Sequence, residues 1–277
     1  MLGKLLKYEF KSTRRLFLPL FGAVLAMAVA TWLLGYLPAQ NNPLLRMPQA
    51  LAMMLYVLLI VATLAVAFVV TIMRFYRNLL GEEGYLMMTL PVSVDAHIFG
   101  KLIAGVVWML CAALISLVSL FFLVMISTPG GLAELFTKIL PEFFAHYGYG
   151  AAWFLLEILL ALVIVVAGSF MQFYAAMAIG PNLTQNRLLG SFLAYLIIYV
   201  ALQVLNSVLM FGAVALITGA MGETGIHSWL AALPNDPGAM MRYVAAMFGG
   251  ASGLVLLESA GLYFLTRHML GKRLNLA

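Results

Sequence analysis

Six long apolar runs constrain the fold of this chain more than any other feature of its sequence. A helix needs roughly 20 mostly apolar residues to cross a bilayer, and each run is at least that long. An open strand edge would leave backbone N–H and C=O groups unsatisfied in lipid, so the runs predict helices rather than strands. We therefore predict an all-α polytopic membrane protein with six transmembrane helices in a single transmembrane domain over residues 1–277. The runs cover about residues 16–37, 50–73, 98–126, 151–180, 189–218 and 240–266.

The composition excludes a globule that folds in water. The chain is 65% hydrophobic and 9% charged, whereas soluble domains carry roughly 25% charged residues. Cys111 is the single cysteine and the four histidines are scattered, so neither a disulfide nor a metal site is expected. The net charge of +5 is explained by topology and by attraction to anionic membrane lipid. No basic soluble domain is present that would favour nucleic acid as a partner.

The distribution of basic residues predicts which side of the membrane each connection faces. Of the 15 Lys and Arg residues, all but Arg46, Lys138 and Arg242 fall in the two terminal segments or in connections on their side. Loops rich in Lys and Arg remain cytoplasmic. We therefore expect a multi-pass protein of the bacterial cell membrane with both termini in the cytoplasm.

The first 15 residues have the pattern of an amphipathic helix. Leu2, Leu5, Leu6 and Phe10 recur at helical spacing, and five basic residues occupy much of the remaining surface. Such a helix is suited to lie on the cytoplasmic leaflet, with its apolar face in the lipid. A plain basic anchor that only sets the topology is the alternative.

The connection over residues 74–101, between the second and third runs, is the most informative segment. Gly81 and Gly84 bracket a pair of glutamates and permit a sharp turn, and an apolar ridge follows over residues 86–90. An apolar ridge is costly in water unless a partner covers it. The pattern is typical of a short helix that docks into a groove of another protein, although a loop folded back onto its own bundle would have the same composition.

Three patches resemble one known family. The stretch EEGYLMMTLPVS at residues 82–93 is similar to the cytoplasmic loop of type-two ABC exporter permeases of Firmicutes, which usually reads close to EEGYLTLTLPVS. The segments LLKYEFK at 5–11 and FLTRHMLGKRLNL at 264–276 resemble the two ends of the same proteins. Met87 and Met88 depart from the family pattern but keep the ridge apolar.

The resemblance implies a permease subunit that couples ATP hydrolysis in a separate ABC ATPase subunit to substrate efflux. It also implies a pair of permeases, formed with a second copy or with a homologous chain. ATP and Mg²⁺ would be bound by the ATPase, and this chain would need no cofactor and would not be an enzyme by itself. In agreement, no Gly-Lys pair in the sequence is followed by the Ser or Thr of a P-loop. The implied ATPase-coupling contact comprises Glu82, Glu83, Gly84, Tyr85, Leu86, Leu90 and Pro91.

Polar residues inside the apolar runs form a candidate substrate path. Ionisable groups are expensive in a bilayer and indicate function by default. The fifth run carries a polar stripe at helical spacing, and the fourth and sixth runs each contain one glutamate. Hydrogen bonds between helices, at about 0.6–2 kcal/mol each, would explain the same residues without a substrate. The candidates are Tyr195, Tyr199, Gln203, Asn206, Glu157 and Glu258.

Two other functional classes remain open at this point. A secondary transporter or channel would work without ATP, and such proteins often have internal repeats and charges near the membrane midplane. A scaffolding subunit would share the docking ridge but would not need the polar stripe. Gly249 and Gly253 form a Gly-x-x-x-Gly pattern whose ordinary role is close helix packing.

Overall fold

The computed structural model describes most of the chain. The described residues are 2–35, 43–80, 92–127, 130–148, 150–232 and 237–272. They form six long helices, which we number α1 to α6, and contain no β-strand. The six are α1 (Leu2–Gly35), α2 (Pro43–Phe75), α3 (Val94–Ser127), α4 (Gly150–Ile179), α5 (Arg187–Ala232) and α6 (Pro237–Lys272).

The prediction of six membrane-spanning helices is confirmed. Each long helix contains a segment that is long and apolar enough to cross a bilayer. The boundaries agree with the apolar runs to within about seven residues, except that α1 begins much earlier than residue 16 and α5 continues well beyond residue 218. The chain is therefore a multi-pass membrane protein by the length and composition of its helices.

Shorter elements flank the long helices. A π-helical turn over Tyr76–Leu80 continues α2. Between α3 and α4 lie a helical turn at Gly131–Glu134, a π-helical turn at Leu135–Ile139 and a helix at Leu140–Tyr147. Within α5, Gly222 has φ 67° and ψ 165°. A positive φ is readily adopted only by glycine, so α5 is interrupted at this residue.

A separate interfacial helix over residues 1–15 is not supported. Instead, α1 runs without a break from Leu2 to Gly35 and passes through Pro19. The face of α1 that is buried carries Glu9, Thr13 and Phe17 at four-residue spacing. The leucine pattern places the contact face of this segment in the lipid, whereas its partners in the structure are charged groups far along the chain.

The chain divides into two compact units, Met1–Pro141 and Glu142–Ala277. In the first unit, α1 packs against both α2 and α3, and α2 and α3 also touch each other. One apolar cluster is built around Phe17, Phe21 and Trp108. The hydroxyls of Tyr56 on α2 and Ser119 on α3 lie 2.8 Å apart and join the two helices by a buried hydrogen bond.

In the second unit, α4 packs against both α5 and α6. The rings of Phe154 and Phe248 lie 6.2 Å apart. A Cβ at Gly168 would lie 2.9 Å from the Ser259 hydroxyl, so α4 and α6 touch closely there. Small residues at such contacts allow membrane helices to approach.

The corner between α4 and α5 is the tightest backbone contact of the second unit. A 3-10 turn over Gly180–Asn182 leads out of α4. A Cβ at Gly180 would meet the backbone of Ser191, and a Cβ at Gly190 would meet the carbonyl oxygen of Gly180. The side chain of Asn186 accepts a hydrogen bond from the N–H of Leu188 at 3.2 Å and caps the start of α5.

Candidate functional site

The first candidate is the predicted ATPase-coupling contact of the 74–101 connection. Glu82, Glu83, Gly84, Tyr85, Leu86, Leu90 and Pro91 lie outside the described residues. The structure does describe both flanks of the connection, which are the end of α2 with its π-helical turn and the start of α3. These flanks hold the best-formed polar site of the first unit.

This site is a charged cluster formed by Glu9, Arg74 and Lys101, one residue from each of the three helices of the unit. The Lys101 ammonium Nζ lies 2.8 Å from Oε1 of Glu9. The Arg74 guanidinium binds the other carboxylate oxygen, with Nη2 at 2.8 Å and Nε at 3.3 Å from Oε2. Both oxygens of the carboxylate are therefore bound, each by a cation from a different helix.

The charged cluster is largely excluded from solvent. The side chain of Lys101 is 3% exposed and that of Glu9 is 9% exposed, while Arg74 retains 30%. Charges of this kind are tolerated in an apolar environment only when they are paired and hydrogen-bonded. The cluster consequently fixes the relative positions of α1, α2 and α3 at this end of the unit.

Hydrogen bonds and aromatic rings surround the charged cluster. Arg74 Nη2 also donates to the hydroxyl of Ser12 at 2.6 Å. The indole N–H of Trp108 donates to the hydroxyl of Thr13 at 2.8 Å, and that hydroxyl donates to the carbonyl of Glu9 at 2.7 Å. The Trp108 ring stacks on Phe17 with centroids 4.7 Å apart. The aromatic layer separates the charges from the apolar interior of the bundle.

His97 lies one helical turn before Lys101 on α3 and is 1% exposed. Among the described residues, neither of its ring nitrogens has a hydrogen-bond partner. A small pocket adjoins the charged cluster and is lined by Thr71, Gly105 and Trp108 in addition to the three charged residues. Within the described ranges, no group of His, Cys, Asp and Glu is arranged to hold a metal ion.

The six candidate substrate-path residues all lie in the second unit, but they do not form one local site. Oε1 of Glu157 lies 2.8 Å from the point where a Cβ of Gly249 would be, so this acid packs on the backbone of α6. Tyr195 stacks on Phe173 with centroids 4.3 Å apart. Glu157 and Phe173 are both on α4, and their 16-residue separation corresponds to about 24 Å of helix rise.

The remaining path residues extend along α5 and α6. Tyr199 stacks on Tyr195 at 6.2 Å and is 49% exposed. Gln203 is exposed and Asn206 is half-buried. Oε1 of Glu258 is enclosed and has no hydrogen-bond partner among the described residues. A role of these residues in a substrate path stays a prediction.

Sequence reasoning missed the charged cluster, although a signal for it was present. Glu9 is the only acidic residue before Glu82, and it lies in an otherwise basic segment. By sequence alone, Arg74 and Lys101 fit the charge bias that predicts the sidedness of the connections. An isolated acid in a basic helix, with Thr13 and Phe17 on the same face, indicates a buried ion pair with a distant cation.

The contact between Gly105 and Thr71, beside the charged cluster, leads to a stability prediction. A Cβ at Gly105 would collide with the methyl group of Thr71, whose hydroxyl is held by the carbonyl of Ala67 at 2.8 Å. We expect Gly105→Ala to lower the free energy of unfolding by about 1–3 kcal/mol, as overpacking does. Adding Thr71→Ser should restore it, because serine keeps the hydroxyl and lacks the methyl.

The measurement is the thermal unfolding midpoint of the detergent-purified protein. Gly22→Ala, on α1, is the matched control because nothing lies within 4 Å of its Cβ position. Equal midpoints for Gly105→Ala and the wild type would contradict the close contact between α2 and α3.

Comparison with known proteins gave no relatives. A scan against protein-family models, a search of curated proteins and a search of solved structures each returned no match.

Proposed function

We propose that the chain is the membrane-spanning permease subunit of an ATP-driven ABC exporter in a bacterial cell membrane. In this proposal a separate ABC ATPase subunit binds ATP and Mg²⁺ and docks on the 74–101 connection. A second copy of the chain, or a homologous permease, completes the transport path. Both termini and the 74–101 connection face the cytoplasm.

The observation that carries the proposal is the charged cluster at the two flanks of this connection. Arg74 precedes the ridge and Lys101 follows it, and Glu9 binds both. A loop that transmits a movement from another protein must be anchored rigidly to the helices, because otherwise the movement would only bend the loop. The charged cluster anchors both flanks of the connection to all three helices of the first unit.

The resemblance of residues 82–93 to the family loop adds a second and independent support. The sequence of the ridge suits docking, and the given sequence contains no P-loop, which agrees with an ATPase on a separate subunit. The polar residues of α4, α5 and α6 would then line the path of an exported substrate, with Glu258 as the strongest candidate.

The proposal predicts that the apolar ridge holds the ATPase. Leu86→Asp or Leu90→Asp should reduce the amount of ATPase that co-purifies with the tagged chain at least tenfold, because a carboxylate in an apolar contact loses its hydration without gaining a partner. The measurement is affinity purification in mild detergent, with the bound subunit recognised by its Walker A peptide and by ATP hydrolysis.

Leu132→Asp is the matched control, since Leu132 is 36% exposed and belongs to the connection predicted on the opposite side. It should leave the ATPase bound. If wild-type chain brings down no ATPase, and the chain alone in liposomes moves solute along an ion gradient, the secondary-transporter alternative replaces the exporter.

A further inference from the structure

The charged cluster joins three segments that belong to different helices. Glu9 is separated along the chain from Arg74 by 65 residues and from Lys101 by 92 residues. Arg74 is close to the end of α2 and Lys101 is near the start of α3, so the two cations stand at the two flanks of the 74–101 connection. A single carboxylate on α1 therefore holds both flanks.

We infer that Glu9 is a positioning residue that makes α1, α2 and α3 one rigid body, and that the charged cluster stays closed while the ATPase displaces the 74–101 connection. This inference rests on the proposed function and specifies how the first unit responds to it. Displacement of the connection would move the three helices together rather than slide one against another.

The burial of the charged cluster argues for its persistence. Opening it would separate Glu9 from Lys101, and both side chains are less than a tenth exposed. Charges in an apolar environment strongly disfavour separation, because no water is at hand to replace the lost partner. A joint that opened in every cycle would be expected in a wetter environment.

The packing next to the charged cluster argues in the same direction. Thr71 on α2 is in contact with Gly105 on α3, and there is no space for even one methyl group between them. Trp108 on α3 stacks on Phe17 and donates its hydrogen bond to Thr13, both on α1. Sliding between these helices would have to break the packing and the charge pairs at once.

A disulfide across α2 and α3 tests whether the helices stay together. A Cβ at Gly105 would lie 3.4 Å from Cβ of Thr71, close to the roughly 3.5–4.5 Å that a disulfide requires. The variant Thr71→Cys with Gly105→Cys is made in a Cys111→Ala background, which removes the only native cysteine. It is oxidised in the assembled complex with the ATPase, and ATP hydrolysis is measured before and after reduction.

We expect the cross-link to form and the oxidised complex to hydrolyse ATP at no less than half the reduced rate. A loss of tenfold or more that reduction reverses would show that α2 and α3 separate in the cycle and would overturn the inference. Failure of the cross-link to form in the folded complex would also overturn it. Absence of any bound ATPase with the wild-type chain is a different result, which counts against the proposed function itself.

Glu9→Gln tests transmission through the charged cluster. The probe is the variant Met47→Cys, near the opposite end of α2 where Met47 is 66% exposed, again in the Cys111→Ala background. Its rate of reaction with a membrane-impermeant maleimide is compared with and without MgATP and vanadate. We expect a nucleotide-dependent change of at least threefold with Glu9 intact, and no change in Glu9→Gln even though the ATPase remains bound.

The matched control is Glu134→Gln, which removes the same charge from an exposed pair with Lys138 and should keep the nucleotide response. A response that survives Glu9→Gln, or that is missing with Glu9 intact, contradicts transmission through the charged cluster. The disulfide result stands on its own if Glu9→Gln proves too unstable to assemble.

Discussion

Glu9→Gln is expected to lower the free energy of unfolding by about 3–5 kcal/mol, because removing one partner leaves the remaining buried charges poorly compensated. Glu9 accepts hydrogen bonds from Lys101 at 2.8 Å and from Arg74 at 2.8 Å. A neutral amide keeps the shape of the side chain but supplies neither the charge nor two acceptor oxygens. The measurement is reversible unfolding in mixed micelles with increasing denaturing detergent, followed by circular dichroism.

The exposed pair in the same unit sets the scale for this prediction. Glu134 and Lys138 are one helical turn apart, and Nζ of Lys138 lies 3.1 Å from Oε1 of Glu134. The side chain of Lys138 is 66% exposed and that of Glu134 is 48% exposed. Surface pairs of this kind contribute only about 0.3–0.5 kcal/mol. Glu134→Gln should therefore leave the unfolding transition nearly unchanged. If Glu9→Gln and Glu134→Gln lower the free energy of unfolding equally little, the charged cluster is hydrated in the membrane-embedded protein and its burial does not contribute to stability.

Gly190→Ala is expected to lower the free energy of unfolding by about 3 kcal/mol, more than any other glycine substitution in the second unit. This loss is in the upper part of the usual range for overpacking. The added Cβ would collide with the carbonyl group of Gly180 and would lie 2.8 Å from the hydroxyl of Thr184. A side chain in the way could rotate, but the backbone carbonyl cannot move without shifting the end of α4. The corner between α4 and α5 would have to open.

Gly212→Ala provides the control on the same helix, since nothing lies within 4 Å of its Cβ position. Alanine is favoured over glycine inside a helix by about 0.5–1 kcal/mol, so this variant should be as stable as the wild type or slightly more stable. Thermal unfolding of both variants in the same detergent makes the comparison. A Gly190→Ala protein as stable as Gly212→Ala would mean that the corner is looser than described.

The sequence predicted the spans well because the property that defines them is local. A run of apolar residues either reaches the length of a bilayer crossing or does not, whatever the rest of the chain does. The interruption of α5 at Gly222 lies just beyond the fifth apolar run, which ends near residue 218, and only the backbone angles show that the helix is interrupted at this glycine.

The charged cluster could not be derived in the same way. Arg74 and Lys101 lie 65 and 92 residues beyond Glu9 along the chain, and no periodicity within one segment connects the three residues. The N-terminal segment was assigned to the membrane surface from its leucines, although the structure buries the face that carries Glu9 and Thr13. The decisive information was the distribution of acids over the whole chain rather than the pattern within the segment.

The glycines show a similar limit. Of the Gly-x-x-x-Gly pair, Gly249 contacts Oε1 of Glu157 on α4, whereas nothing lies within 4 Å of a Cβ at Gly253. A second close approach of α4 and α6 occurs at Gly168, where a Cβ would be 2.7 Å from Val255. A glycine spacing identifies faces that permit close packing, and only the partner helix determines which glycine is used.

The continuity of α1 gives the first unit a long lever arm. A helix of 34 residues from Leu2 to Gly35 measures about 50 Å, so a tilt of only about 5° imposed at its first turns would displace its far end by about 4 Å. Without a joint between the segment that carries Glu9 and the part that crosses the lipid, little angular motion would be lost on the way. Small rotations at one membrane face would thus become displacements the size of a side chain at the other.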